Sequence, residues 1–487
     1  MKNKVIIKIF ALKLCFMLFL CISCAAINAS QYKNHDDNTT NKVKYKILEI
    51  LNSPDLKQTK TGIKVVSLKT GQIIFDQDSE KLFVPASNLK LITALTALKI
   101  LKPEYKFKTE IFTDKIKDDT TINNLYLKGS GDPSLNFSDL NKVALQLEQK
   151  IKKIDGNIIA DKSYFDNIEY GKGWMWDEGI EDYNAPISAI NLNRNCIDIY
   201  INAGNNLKDK VNTYIYPPTK YARTIINAGT TNKDDITIER KTEQNTDYFL
   251  INGELDINSK NQKFSCTVSR PAIYTLTVFK ELLEKYGIQV AGNLKKGILP
   301  KDTLSIAFHE SAPLTSIIGF FLKESDNLTG ECLLKSIGAF IKHSPGTSDK
   351  GVDVVQSLLK EIGIENNIYR IVDGSGLSRY NLISPSLLIK VLEYAYKDFT
   401  IYPEFISALP LSGVDGTLKK RMKGNRTERK VRAKTGTMSG VSCVSGYLST
   451  QNNELLAVSI MMNGYIGSSK PFTNAQDEIL NILEENL

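Results

Sequence analysis

A change of texture in the middle of the chain restricts its possible folds more than any other feature. From Lys106 to about Pro300 the sequence consists of short β-rich runs such as TTINNLYLKGSG and CIDIYINAG, broken by Asn and Gly turns, with one helical segment near Tyr274 to Tyr286. The flanks read differently. Lys44 to Leu51 has the pattern of a short amphipathic helix, and GIKVVSLKTGQIIFDQ (Gly62 to Gln77) alternates on both sides of Thr70-Gly71 as a β-hairpin does. Pro85 and Ala86 then lead into SNLKLITALTALKIL (Ser87 to Leu101), rich in helix formers, with Ser87 as its first residue or cap. After Pro300 helical patterns return at Pro313 to Phe321, Cys332 to Ile341, Asp353 to Ile362 and Ser384 to Tyr396. Two apolar strands follow, VSCVSGYLST and ELLAVSIMMNGY, then a last helix, Asn474 to Glu485. Hairpin and helix at one end, with strands and helix at the other, predict an α/β domain assembled from both ends of the chain around an inserted β-rich part. At 487 residues the chain is too long for one core.

The formal charge of +8 is modest for this length and its Lys and Arg are mixed with Asp and Glu, so no nucleic-acid footprint emerges. Lys2, Lys4 and Lys8 precede an apolar run from Leu14 to Ser23, the layout of a secretory signal. That run is short of the roughly 20 residues of a bilayer span. An exported, extracytoplasmic protein is therefore expected, with at most peripheral membrane association. Cleavage after Ala29 or lipidation at Cys24 are alternatives, and Gln31 to Lys42 reads as a polar spacer. Of seven cysteines, four lie beyond the signal: Cys196, Cys266, Cys332 and Cys443. An oxidising compartment permits disulfides among them, with no pairing legible. None sits in the close Cys/His company of a metal site, and no cofactor is expected.

A serine hydroxyl is a poor nucleophile until a base takes its proton. The chain has three histidines: His35 lies in the expected spacer, while His309 and His343 lack a nucleophile-elbow context, and no G-x-S-x-G occurs. A lysine base is the better candidate. Ser87 and Lys90 (S-N-L-K) share one helix face, and the helix N-terminus offers free N–H groups to an oxyanion. Lys90 must be neutral to act, and burial plus a second nearby cation lower a lysine pKa. Lys434, in RAKTGTMSG, is that second cation.

Each motif alone is weak. K-T-G also occurs at Lys60 and at Lys69, both read as solvated hairpin turns; S-x-x-K recurs at Ser357 to Lys360 in a surface-type helix, and S-x-N at Ser134 to Asn136 within a turn signal. Order separates them, because Ser325-Asp326-Asn327 lies between Ser87 and Lys434.

In that order S-x-x-K, S-D-N and K-T-G resemble the signature of penicillin-binding proteins and class A β-lactamases. The 238 residues from Ser87 to Ser325 and 109 from Ser325 to Lys434 are similar to the class C, type 4 penicillin-binding proteins (peptidase family S13). GWMWDE (Gly173 to Glu178), YNAPISAINLNRN (Tyr183 to Asn195), VSRPA (Val268 to Ala272), DGSGLSRYNLISP (Asp373 to Pro385) and LPLSGVDGTL (Leu409 to Leu418) extend the resemblance over nearly all of the expected mature chain.

The resemblance implies a β-lactamase/transpeptidase-like serine hydrolase domain, an antiparallel sheet flanked by helices, with two nested inserted domains. Expected boundaries are a signal over 1–29, a spacer over 30–43, the catalytic domain over 44–105 and 301–487, one inserted domain over 106–205 and 262–300, and a nested one over 206–261. It implies a serine-type D-Ala-D-Ala carboxypeptidase and DD-endopeptidase acting in the periplasm on peptidoglycan stem peptides and cross-links, inhibited covalently by β-lactams. By the same resemblance Ser87 attacks, Lys90 takes its proton, and the N–H groups of Ser87 and Thr437 hold the oxyanion. Ser325 relays a proton to the leaving amine and Asn327 orients Lys90 and the substrate amide. Lys434, with Thr435 and Thr437, faces the substrate carboxylate, and Gly436 allows the substrate to approach. Trp174, Asp177 and Arg379 would grip a diaminopimelate side chain. Departures are Gly330, where relatives commonly have Ala, and Asp182, where some present an aromatic. The alternatives are a β-lactamase-like hydrolase, for which no deacylation glutamate motif is found, a non-catalytic peptidoglycan-binding protein, and a hydrolase working through other residues.

Overall fold

The computed structural model describes residues 40–487. The expected signal, the Cys24 lipidation site and most of the spacer lie outside these residues. The spacer's end does not: residues 40–51 are helical, with Thr40 and Val43 buried, because Val43, Ile47 and Leu51 form an apolar stripe that packs on the sheet.

That sheet joins the two ends of the chain. Its five strands run in the order Val431–Met438, Val441–Ser449, Leu455–Asn463, Lys60–Ser67, Ile73–Gln77, each antiparallel to its neighbour. Both faces are covered, so the central strands carry apolar residues on both faces instead of alternating strictly with polar ones. The period of two remains visible in which core each residue enters. Val458, Ile460 and Met462 face the helices at 40–51 and Lys470–Asn486, whereas Ala457 and Met461 face the main helical layer.

The centre of that layer is the helix Lys90–Leu101. Ten of its twelve residues are buried, which explains why its sequence shows no polar stripe. The helices Leu314–Glu324, Asn327–Lys342, Ser348–Glu361 and Pro385–Lys397 pack around it, with the short helix Tyr402–Ala408 beside them. This is the expected arrangement of an antiparallel sheet flanked by helices.

The inserted part holds several sheets. One five-stranded sheet has the order Leu294–Lys296, Ile158–Asp161, Leu125–Gly129, Lys108–Thr113, Leu304–Glu310. Strands within 206–261 form a separate four-stranded sheet built on Thr246–Asp256. A large apolar cluster runs through most of the insertion, from Ile111 through Ile199, Phe249 and Phe279 to Ala307, and a smaller one joins Phe165 and Ile187 to Leu328 and Cys332.

Four readings need correction. The return to the catalytic domain falls near Ser311 and not at 301, because Leu304–Glu310 pairs with Lys108–Thr113. The insertion contains a second long helix, Phe137–Glu148, capped by Asn136 and buried through Leu140, Val143, Ala144 and Leu147. Lys60-Thr61-Gly62 is no turn: it opens the strand Lys60–Ser67, with Thr61 and Gly62 buried. The four cysteines are free and buried, and burial pushes the thiols of Cys266 and Cys443 up to about 12.

Candidate active site

Ser87 lies in the 3-10 turn Ala86–Leu89 that enters the central helix. The preceding Ala86 has φ +46°, a left-handed conformation that costs an L-residue on the order of 1–3 kcal/mol. Surrounding contacts hold it there. Phe83 bridges to Ile383, the Val84 N–H donates to Asn463 Oδ1, and Gly436 lies against this turn from the sheet's edge strand. A Cβ on Gly436 would come within 2.8 Å of the Pro85 carbonyl oxygen and 3.0 Å of the Ser87 nitrogen. The close approach that glycine permits here is therefore between two segments of the protein itself, and not only to a substrate.

One helical turn from Ser87, the Lys90 ammonium is fully buried and has three oxygen partners: Ser87 Oγ at 2.8 Å, Asn327 Oδ1 at 2.6 Å and the Ser375 carbonyl at 2.7 Å. Ser325 joins two helices in a left-handed conformation with φ +63°. The Asp326 side chain then caps the second helix by accepting from Thr329 N, which places Asn327 at its first residue. Lys434, buried in the edge strand, donates to Ser325 Oγ at 2.9 Å and to the Thr435 carbonyl at 2.8 Å. Thr435 Oγ1 donates to Thr417 Oγ1 at 2.7 Å. Asn327 Nδ2 donates to the Tyr183 carbonyl at 2.9 Å, tying the insertion to the centre.

Burial pulls the Lys90 amine down to about 8, against the opposing charges of Asp373, Asp326 and Glu331. Lys434 has no such carboxylates, and burial, followed by the positive charge of Lys90, holds it well below the usual lysine range. Desolvation is thus the main cause for both lysines. The mutual cation effect falls on Lys434, where the sequence had pointed to Lys90.

Above these groups opens a cleft of about 600 Å3, with Ser87, Ser325, Asn327 and Thr437 on its floor and Asp177, Tyr183, Leu377 and Arg379 on its walls. Arg379 is anchored by a 2.8 Å hydrogen bond to the Ser439 carbonyl. Trp174 is a correction. It does not line the cleft, because its indole N–H is committed to Asp373 Oδ2 at 3.1 Å, and the tryptophan instead straps its loop to the catalytic domain. Asp182, the other departure, lies 3.7 Å from Arg194.

The competing motifs lie elsewhere. Ser357 Oγ donates to its own helix at the Asp353 carbonyl, Asn136 caps a helix, and Lys69-Thr70-Gly71 forms the hairpin turn. His309 sits 3.8 Å from Asp132 in the insertion, and His343 ends a helix. Neither lines the cleft. Sequence reasoning missed Ser375, Asp373, Tyr183, Thr417 and Glu331. The first four belong to stretches that carry the family resemblance, but Ser375 and Tyr183 act through backbone carbonyls, which carry no side-chain signal.

Comparison with known proteins places this geometry. The model of the D-Ala-D-Ala carboxypeptidase 3 (S13) family matches residues 43–486. The D-alanyl-D-alanine carboxypeptidase of Actinomadura sp. (strain R39) is 31% identical over 447 residues, covering 86% of this chain and 80% of that protein. D-alanyl-D-alanine carboxypeptidase DacB of Haemophilus influenzae is 28% identical over 426 residues, covering 85% and 88%. The crystal structure of penicillin binding protein 4 (dacB) from Haemophilus influenzae superposes with a TM-score of 0.79 at 25% identity, covering 90% of this chain and 99% of that one. A second crystal structure of that protein, complexed with a β-lactam, gives a TM-score of 0.75 at 24% identity, with the same coverage.

Proposed function

This chain belongs to the D-Ala-D-Ala carboxypeptidase 3 (S13) family, and from that premise we propose that Ser87 is its nucleophile and Lys90 its general base. The enzyme is a penicillin-sensitive serine D-Ala-D-Ala carboxypeptidase. One observation carries the residue assignment: the three partners of Lys90 Nζ are Ser87 Oγ, Asn327 Oδ1 and the Ser375 carbonyl. An ammonium has three donors and fills all three contacts. When it loses a proton, its two remaining N–H groups go to Asn327 and Ser375, whose oxygens only accept. The free lone pair then faces Ser87, whose hydroxyl is the one partner with a proton to give.

In this reading the Ser87 oxygen attacks the carbonyl of the penultimate D-alanine as its proton passes to Lys90. The N–H groups of Ser87 and Thr437 take the negative oxygen, an interaction worth about 3–4 kcal/mol per donor. Breaking the C–N bond requires a proton on the departing D-alanine amine. Ser325 Oγ supplies it and is reprotonated through Lys434, its 2.9 Å partner. A water molecule then attacks the ester: its hydroxyl completes the new carboxyl group of the shortened peptide, its other proton restores the Lys434–Ser325 pair, and the proton held on Lys90 returns to Ser87 Oγ as the ester bond breaks. The carboxylate of the terminal D-alanine falls to Lys434, Thr435 and Thr437. Burial disfavours the Lys434 ammonium, and an incoming carboxylate reverses that preference.

The strand Val431–Met438 is an edge strand, so a peptide backbone can lie along it as an added strand. Asp177 and Arg379 on the walls suit the amine and the carboxylate of a diamino-acid side chain. Peptidoglycan stem peptides are the substrate, and cross-links are cleaved as well, since both present the same D-alanyl bond. β-Lactams acylate Ser87 as substrate mimics. The basic, then apolar, N-terminus supports action in the periplasm after export. Incubation with cross-linked muropeptides, read by product mass, tests this: loss of one alanine and separation of dimers are expected, and unchanged substrates would refute it.

A further inference from the structure

Glu331 lies one helical turn beyond Asn327, on the same face of the helix Asn327–Lys342. It is fully buried. Its Oε1 accepts from the Gly374 and Ser375 N–H groups, both at 2.9 Å, while Oε2 has no hydrogen-bond partner. Among the described residues no lysine or arginine forms an ion pair with it. The turn it holds packs as closely as backbones allow, because a Cβ on Gly374 would come within 2.3 Å of the Gly330 carbonyl oxygen. An alanine at Gly330 would meet the Gly374 oxygen at 3.0 Å, so this glycine gives the turn room against the helix. The helix therefore supplies both acceptors that orient Lys90. Asn327 Oδ1 is supplied directly, and the Ser375 carbonyl is supplied through Glu331, which grips the N–H of that same residue.

We infer that Glu331 is a positioning residue for acylation: its carboxyl fixes the 374–375 turn so that the Ser375 carbonyl meets Lys90 and turns the amine's lone pair toward Ser87. This rests on the assignment of Ser87 and Lys90 given above. Holding two N–H groups needs only an acceptor, and a glutamine would supply one. What the acid adds is a charge that depends on its surroundings. Burial, and next the charge of Asp373, push its carboxyl up to about 8, so that it changes charge over the range in which Lys90 does. A neutral Glu331 leaves Lys90 free to lose its proton, and an ionised one holds that proton on. The other charged groups facing the pair are Asp373 from the turn, Asp326 from the helix cap, and Lys434 beyond Lys90.

The test measures the second-order rate of acylation by a fluorescent penicillin across the pH range, on the full chain and on Glu331→Gln and Glu331→Met, with thermal melting alongside. The methionine variant is expected to lose at least about tenfold in rate at every pH, because the base is misaimed. The glutamine variant is expected to recover to within about threefold of the parent, with its rate rising at lower pH, because no charge remains to hold the proton on Lys90. A methionine variant as fast as the parent overturns the inference. So does a glutamine variant that melts like the parent yet stays at least about tenfold slower than it, which decides the matter even if the methionine protein does not fold. A parent protein that penicillin leaves unlabelled would sink the Ser87 assignment itself, whereas a labelled parent with indifferent Glu331 variants sinks only the role of Glu331.

Discussion

Lys90 Nζ lies 2.8 Å from Ser87 Oγ, and its two other contacts are oxygens that only accept. The deprotonated amine therefore has one direction in which to direct its lone pair, and that direction is the Ser87 hydroxyl.

Two replacements of Lys90 separate charge from basicity. Lys90→Ala removes the base and is expected to cut penicillin acylation by about a thousandfold, within the usual range for general-base loss. Lys90→Arg keeps a cation that does not deprotonate in proteins, and a comparable loss is expected. Stopped-flow acylation rates check both. An arginine variant that acylates normally would mean that positive charge, and not a neutral amine, activates Ser87.

The pH dependence has a definite sign. Burial lowers Lys90 to about 8, and the proposed base is its neutral form. Acylation is thus expected to rise with pH through that value and to fall about tenfold for each unit below it. Rates across the pH range, on an uncharged β-lactam ester and on a peptide, separate this limb from the titration of Lys434. A profile flat below pH 8 would exclude Lys90 as the titrating base.

At the edge strand, Gly436→Ala places a methyl 2.8 Å from the Pro85 oxygen. Backbone cannot yield as a flexible side chain does, so overpacking of about 1–3 kcal/mol is expected. Displacement of the Ser87 turn should also lower acylation at least about tenfold. Melting curves and labelling rates measure the two effects together.

The proposed grip on a diamino-acid side chain makes a prediction for the cleft walls. Asp177→Asn and Arg379→Ala are expected to raise KM for peptides with a free diamino-acid side chain by about tenfold each, the loss of one charge-assisted contact. Penicillin acylation, which lacks that side chain, is expected to stay within about twofold. Paired kinetics on peptides with and without the side-chain carboxylate make the comparison.

Much of this centre was legible in the sequence because its chemistry resides in side chains with few substitutes. Ser87 and Lys90 are three apart on a helix, and the order of S-D-N and K-T-G selected Ser325, Asn327 and Lys434 over their duplicates. That one sheet joins both ends of the chain was legible from the hairpin at one end and the apolar strands at the other, on either side of a β-rich insertion. What stayed hidden depended on backbone. The Ser375 and Tyr183 carbonyls have no residue-type signature, and the tight contact at Gly436 depends on which turn folds beneath it. The helix Phe137–Glu148 was masked by the turn signal at its start, where Asn136 serves as its cap. Trp174 looked like a ligand contact because an acid lies nearby in sequence, whereas its partner, Asp373, is 199 positions away.

The central claim is that Ser87 is the residue that becomes acylated, primed by Lys90. Peptide mapping by mass spectrometry after brief exposure to penicillin at neutral pH tests it most directly. One adduct on the tryptic peptide containing Ser87, absent from Ser87→Ala, is the predicted result. An adduct on another peptide, or one that persists in Ser87→Ala, would contradict it.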